Sequence, residues 1–176
     1  MEDGMLWAAL PAAAWGAALS WYDVRQRRLP NWLTVGGATV ALLWRFSYGG
    51  LILFLDGFVA AAIAGFILLI PFLMRGAGGG DVKMLFAAGA MVGMADNRVT
   101  LMIIIVSMAG LLFGLAMLAA NRLDGSRLKH FVRCAFDWRY DRKVGASVLP
   151  PRDSERVRVP FGIPIAFGLV VSMLLP

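Results

Sequence analysis

Two aspartates stand where a carboxylate is expensive to keep and able to do proton chemistry. Asp23 closes an apolar run in "SWYDVRQRRLPN", and Asp81 follows the glycines of "GAGGGDVKML", between two further apolar runs. Two carboxyl groups held close together cannot both ionise easily, so they share a proton. One can then take a proton from water while the other, protonated, polarises a carbonyl. Such a pair titrates as a unit. It hydrolyses an amide with no metal and with no serine, cysteine or histidine nucleophile. The chain holds few competitors: a single histidine, His130, a single cysteine, Cys134, and no Gly-x-Ser-x-Gly. An internal disulfide, a CxxC metal knuckle and a redox pair are excluded, and a histidine-clustered zinc site is disfavoured. No metal and no other cofactor is expected.

The glycines suit this chemistry. Gly78, Gly79 and Gly80 carry no side chains, so a peptide backbone can come close to Asp81, and they permit a non-helical entry into the next helix. Asp81 would then stand at or near an N-cap, where a helix end favours an anion. Taken alone, however, Gly-Gly-Gly-Asp also reads as an ordinary turn with a capping residue. A carboxylate such as Asp23, beside Arg25, Arg27 and Arg28, also reads as an interfacial ion pair.

The elements that must hold these residues are apolar. Of the 176 residues 60% are hydrophobic and 16% charged, against about 45–50% and about a quarter in soluble domains. One water-soluble core of this size cannot hide so much apolar surface, and the composition indicates a membrane protein. Six segments are marked: Leu6–Tyr22, Trp32–Phe46, Leu51–Met74, Val82–Met94, Val99–Ala120 and Phe161–Leu175. A straight span takes about 20 residues. The third and fifth reach that, the first nearly does, and the shorter ones need the shelter of a packed bundle. The expected fold is all-α: one membrane-embedded domain over residues 1–176, a polytopic bundle of six transmembrane helices. The acidic start, Glu2 and Asp3, argues against a cleavable signal peptide, so the first helix is read as retained.

The net charge of +6 is explained by topology. With the N-terminus outside, all of the 17 lysines and arginines except Arg45 and Arg98 fall on the inner side. Nucleic acid is therefore not expected as a partner. The polar stretch 121–159 becomes a cytoplasmic loop. Within it Leu128, Phe131, Val132, Ala135, Phe136 and Trp138 recur among basic residues at the spacing of an amphipathic helix lying on an anionic leaflet. Asp23 and Asp81 both come to the cytoplasmic boundary. Asp56 falls in the outer part of the third segment, where a helix–helix hydrogen bond is the expected role.

In combination, these features resemble the type IV prepilin peptidases, membrane aspartyl proteases of the GxGD class. The resemblance rests on Asp23 followed by Arg25 and by Leu29, Pro30 and Asn31, on Gly78 to Lys83, and on the closing "VPFGIPIAFG" from Val159 to Gly168. It covers essentially the whole chain in order and implies six helices. It further implies that Asp23 and Asp81 are the catalytic pair and that the substrate is the N-terminal leader of a prepilin or pilin-like protein. The cut would be made on the cytoplasmic side of an inner membrane. Gly78, Gly79, Gly80, Lys83, Pro160 and Gly162 would shape the site or bind substrate. Lys83 has the simpler alternative of snorkelling to the lipid boundary. The larger family members that also methylate carry an added domain, often with paired CxxC motifs. This chain is more similar to the short members serving Flp/Tad-type pili. An archaellin-processing peptidase shares the motifs. Outside the family, a small transporter using the aspartates as ion or proton ligands is the main rival. Against it, the glycine break at Asp81 has no counterpart in the other half of the chain. A non-catalytic assembly subunit is a third reading, one that would tolerate loss of either aspartate.

The charge asymmetry predicts a cytoplasmic polar loop. A cysteine placed at Ser126, in a Cys134→Ala background, should resist an impermeant thiol reagent in sealed cells and react after permeabilisation. Labelling from outside the sealed cell would reverse the topology.

Overall fold

In hydrocarbon a backbone amide finds no water, so each segment must satisfy its own hydrogen bonds, and for these sequences the result is helix. The computed structural model describes residues 2–26, 29–73, 78–120 and 161–175. Its helices are α1 (Glu2–Gln26), α2 (Asn31–Leu73), α3 (Gly79–Val92), α4 (Arg98–Ala119) and α5 (Gly162–Leu174), with a 3-10 turn at Ala95–Asn97. There are no strands among the described residues. The loop 121–159, with its expected surface helix, and Pro160 lie outside them.

Six separate helices are expected from the sequence, and five are observed among the described residues. The second and third apolar segments form one element because the chain reverses over two glycines without a connecting loop. Gly49 has φ −142° and ψ 21°, and Gly50 has φ 61° and ψ −149°. In an unbroken helix Phe46 and Phe54 would stand roughly 12 Å apart along the axis. Here their rings meet edge to face at 6.3 Å, and Arg45 reaches Asp56 at 2.8 Å. The stretches Asn31–Leu69 and Ala95–Met117 are long and apolar enough to cross a membrane. Val40, Leu43, Leu111, Leu112 and Leu115 point outward, as lipid-facing side chains would.

The helices assemble as two groups. The α2 hairpin packs on α3, while α5 packs between α1 and α4, and α3 meets α5 to join the groups. Small residues let α2 and α3 approach closely. Ala60, Ala61 and Ala64 face Gly89, and all four are buried. The shared core includes Leu19, Met84, Leu85, Met102, Ile165 and Leu169. Between α1 and α2, Trp15 Nε1 donates to the carbonyl of Leu33 at 2.9 Å.

Arg45 fixes the far end of α3. The last carbonyls of a helix have no partner within it. Arg45 Nε donates to Ala90 O at 2.9 Å, and Nη2 donates to Val92 O at 2.7 Å. Its Nη1 donates to Asp56 Oδ2, which also accepts the Met94 N–H at 3.2 Å. Asp56 thus makes a polar contact between the two arms of the α2 hairpin, through Arg45, which the charge asymmetry assigns only to the outer side.

Gly50 sits where a side chain is strained whatever the surrounding space. Gly50→Ala should lower the thermal stability of the detergent-solubilised protein by an amount equivalent to about 1–3 kcal/mol. Gly36→Ala, with nothing within 4 Å of the added carbon, should have little effect. Equal stability of the two variants would show that the reversal does not depend on Gly50.

Candidate active site

A helix also leaves its first N–H groups unpaired, and these attract carboxylates. Both predicted aspartates use such donors. Asp23 lies in the last turn of α1, and its Oδ2 accepts the N–H of Gly162, the first residue of α5, at 2.9 Å. Asp81 is the third residue of α3 and reaches back to the N-cap amide, with Gly78 N donating to its Oδ2 at 3.1 Å. Asp81 therefore braces the helix start from within the first turn instead of occupying the cap itself.

Backbone and glycine make these bonds possible. Pro164 lies in the first turn of α5, where its missing N–H removes no helical bond, since Ile165 N–H is the one that reaches Phe161 O, at 3.1 Å. The Gly162 amide is left to Asp23. A Cβ at Gly162 would stand 2.9 Å from Asp23 Oδ2 and 3.1 Å from its Cβ. At Gly78 a Cβ would come to 3.0 Å from Asp81 Oδ2, and at Gly79 to 3.2 Å from the Phe72 ring. At Gly80 it would come to 3.0 Å from Leu29 Cβ, so the Leu29–Asn31 connector passes directly over the first turn of α3.

The contacts of the connector and of Gly162 gather the motif residues at one end of the bundle. Asp23 meets Gly162, Leu29 meets Gly80, and Lys83 Nζ donates to Asn31 Oδ1 at 2.9 Å. Arg45 and Asp56 mark the opposite end. Lys83 is exposed, and its partner belongs to the Leu29–Pro30–Asn31 motif, so the amine links two motif segments.

Among the described residues the buried charged side chains are Asp23, at 9% exposure, and Asp81, at 8%. Asp56 is partly exposed, and Asp96 is open to solvent in the 3-10 turn. Asp23 lies just beyond the first apolar segment. Burial raises its carboxyl above the usual aspartate value, and the Gly162 hydrogen bond draws it part of the way back. No group of three or more potential metal ligands occurs among the described residues. What the site offers is two buried carboxyl groups, each steered through one oxygen by a backbone N–H.

A profile of the type IV leader peptidase family matches residues 10–115, well over half of the chain. The chain belongs to this family. It is accordingly a peptidase, a hydrolase of the prepilin peptidase kind, and its apolar helices are those of a membrane protein. The matched residues include Asp23 and Asp81 but end before α5. The structure adds that helix to the site through Gly162. No curated protein and no solved structure matches the chain.

Two residues at the site escape a reading by motif. Ser20, one turn before Asp23, donates through Oγ to Gly162 O at 3.1 Å and to Gly16 O at 2.8 Å. Its three-residue spacing from Asp23 was the available signal. Asn31, part of a quoted motif, had no assigned partner until Lys83 supplied one.

The contact at Gly162 gives a direct test. Gly162→Ala forces the Asp23 carboxyl to move, so if Asp23 is a catalytic group peptidase activity should fall by about 10²-fold or more. The protein should stay inserted in the membrane. Full activity in this variant would mean that the position of Asp23 against α5 is immaterial.

Proposed function

We propose that this peptidase is an aspartyl endopeptidase that removes the N-terminal leader of a prepilin or pilin-like precursor at the cytoplasmic face of an inner membrane. Asp23 and Asp81 form its catalytic dyad, in a multi-pass bundle whose N-terminus faces out. The observation that carries the reading is selective burial. The buried charges among the described residues are the same two aspartates that the motifs single out, both at the end of the bundle where the motif segments meet. A membrane protein keeps buried ionisable groups mainly for function.

The dyad works with one proton between its members. The ionised carboxylate takes a proton from water, and the water oxygen attacks the carbonyl carbon of the scissile peptide. The protonated partner gives its proton to the carbonyl oxygen, forming a tetrahedral gem-diol. Collapse returns a proton from one hydroxyl to a carboxylate. The other carboxyl protonates the leaving nitrogen as the carbon–nitrogen bond breaks. Hydroxyl from water ends on the leader's new C-terminus and hydrogen on the new amine, and the dyad regains its single proton. The backbone donors from Gly162 and Gly78 keep one oxygen of each carboxyl oriented while the protons move.

The pilin-like precursor and surrounding lipid are the partners this reading requires. With a single cysteine these residues hold no paired CxxC motif, which supports a likeness to the short members serving Flp/Tad-type pili. Gly79, Gly80 and Lys83 act as shaping residues: the glycines give passage to Leu29 and Phe72, and the lysine holds Asn31.

Asp23→Asn and Asp81→Asn should each reduce leader cleavage by at least about 10²–10⁴-fold while the protein remains folded and inserted. Asparagine keeps the shape and loses the proton. The double variant should be little worse than either single one, because the two act as a unit. Asp56→Asn, at the opposite end, should keep most activity. Near-normal processing by either single variant in a purified system would contradict the dyad.

A further inference from the structure

Gly162 is held by α1 at both of its backbone polar groups. Its N–H donates to Asp23 Oδ2 at 2.9 Å, and its carbonyl accepts a hydrogen bond from Ser20 Oγ at 3.1 Å. Ser20 and Asp23 are three residues apart and share a face of α1. That face packs on α5, and it is a close contact, since a Cβ at Gly16 would lie 3.0 Å from Ala166 Cβ.

A helical serine commonly returns its hydroxyl to the carbonyl four residues earlier, and Ser20 does so with Gly16 at 2.8 Å. The second acceptor is unusual because it belongs to another helix, 142 residues along the chain. It is also the same residue that supplies the donor to Asp23. The Gly162 N–H lies in one rigid peptide plane with Phe161 O, which accepts the Ile165 N–H at 3.1 Å, while the Gly162 carbonyl lies in the next plane, across the Gly162 Cα. Ser20 pins this second plane and Asp23 meets the first, so the two α1 side chains together fix the start of α5, and with it the approach of the N–H to the Asp23 carboxyl.

We propose that Ser20 is a positioning residue for the Asp23 carboxyl, acting through the Gly162 backbone. This inference rests on the reading of Asp23 as half of the dyad. It adds to that reading a residue on which the family resemblance does not rest, and it makes the start of α5 a working part of the site. Ser20 touches no reacting atom and does not exchange a proton with substrate. Its effect is on the rate of the chemical step and not on capture of the leader.

The test uses the full-length purified protein and a pilin-like precursor that the unaltered protein cleaves. Ser20→Ala should lower kcat about tenfold, the range one hydrogen bond commonly commands, with KM changed by less than about twofold. Its thermal midpoint should stay close to that of the unaltered protein. Ser20→Thr, which keeps the hydroxyl, should restore most of kcat. Unchanged kcat in Ser20→Ala would overturn the proposal. So would an unfolded Ser20→Ala protein, or parallel losses in kcat, KM and stability that threonine does not repair, because each marks Ser20 as packing alone. Asp23→Asn run alongside separates the two levels. If that variant cleaves normally, the dyad reading fails. If it is inactive while Ser20→Ala keeps its full rate, only the role of Ser20 fails.

Discussion

One hydrogen bond, from the Gly162 amide to Asp23, connects the end of the first helix to the start of the last across 139 residues of sequence. It satisfies two needs together. A helix N-terminus near hydrocarbon must give its unpaired N–H a partner, and a buried carboxylate must have a donor. Much of the local sequence follows from meeting both. Position 162 must be glycine because a methyl group would strike the carboxyl oxygen. Proline is admissible two residues later because that part of the turn needs no N–H. A long insertion before α5 is compatible with the site, provided α5 begins at this point.

Asp81 is held by a different device with the same logic. Both ends of α3 are closed by side chains aimed at its unpaired backbone groups: Asp81 takes the Gly78 N–H at one end, and Arg45 takes the Ala90 and Val92 carbonyls at the other. Arg45 is steadied by Asp56, and both belong to α2, whose reversal at Gly49 and Gly50 brings them together. The α2 hairpin thus grips α3 along its length and at its far end. Asp81 belongs to the group formed by α2 and α3, and Asp23 to the group formed by α1, α4 and α5. The contact between α3 and α5 is the seam that joins the two groups. A dyad built across such a seam would feel any shift of one group against the other, and the Trp15–Leu33 hydrogen bond between α1 and α2 limits that shift.

The parts legible in the sequence are those in which one residue type carries the information. Asp23 and Asp81 stand out because ionisable groups are rare beside apolar segments, and Gly162 because proline and glycine punctuate the last helix. The segment boundaries agree with the helices to within a few residues, and the gap between Phe46 and Leu51 falls on the observed reversal. That two glycines alone would turn the chain was not legible, since spacing does not distinguish a tight reversal from a loop. The Arg45 clip was hidden for a related reason: its partners are backbone carbonyls, which every residue possesses. Ser20 and the Asn31–Lys83 bond depend on which helices meet, and a hydropathy pattern does not specify neighbours.

The central claim is that Asp23 and Asp81 share one proton and cleave peptide as a unit. The dependence of kcat/KM on pH for leader cleavage by the purified protein tests this most directly. With one proton shared, activity falls on the acid side when the base becomes protonated and on the alkaline side when the acid is lost, giving a bell with two macroscopic values. Because burial raises the Asp23 carboxyl and like charge opposes double ionisation, the alkaline limb should stand above the ordinary carboxylate value of about 4. The bell should be unchanged in Cys134→Ala. A single limb rising to a plateau through the thiol range, and lost with Cys134, would contradict the account.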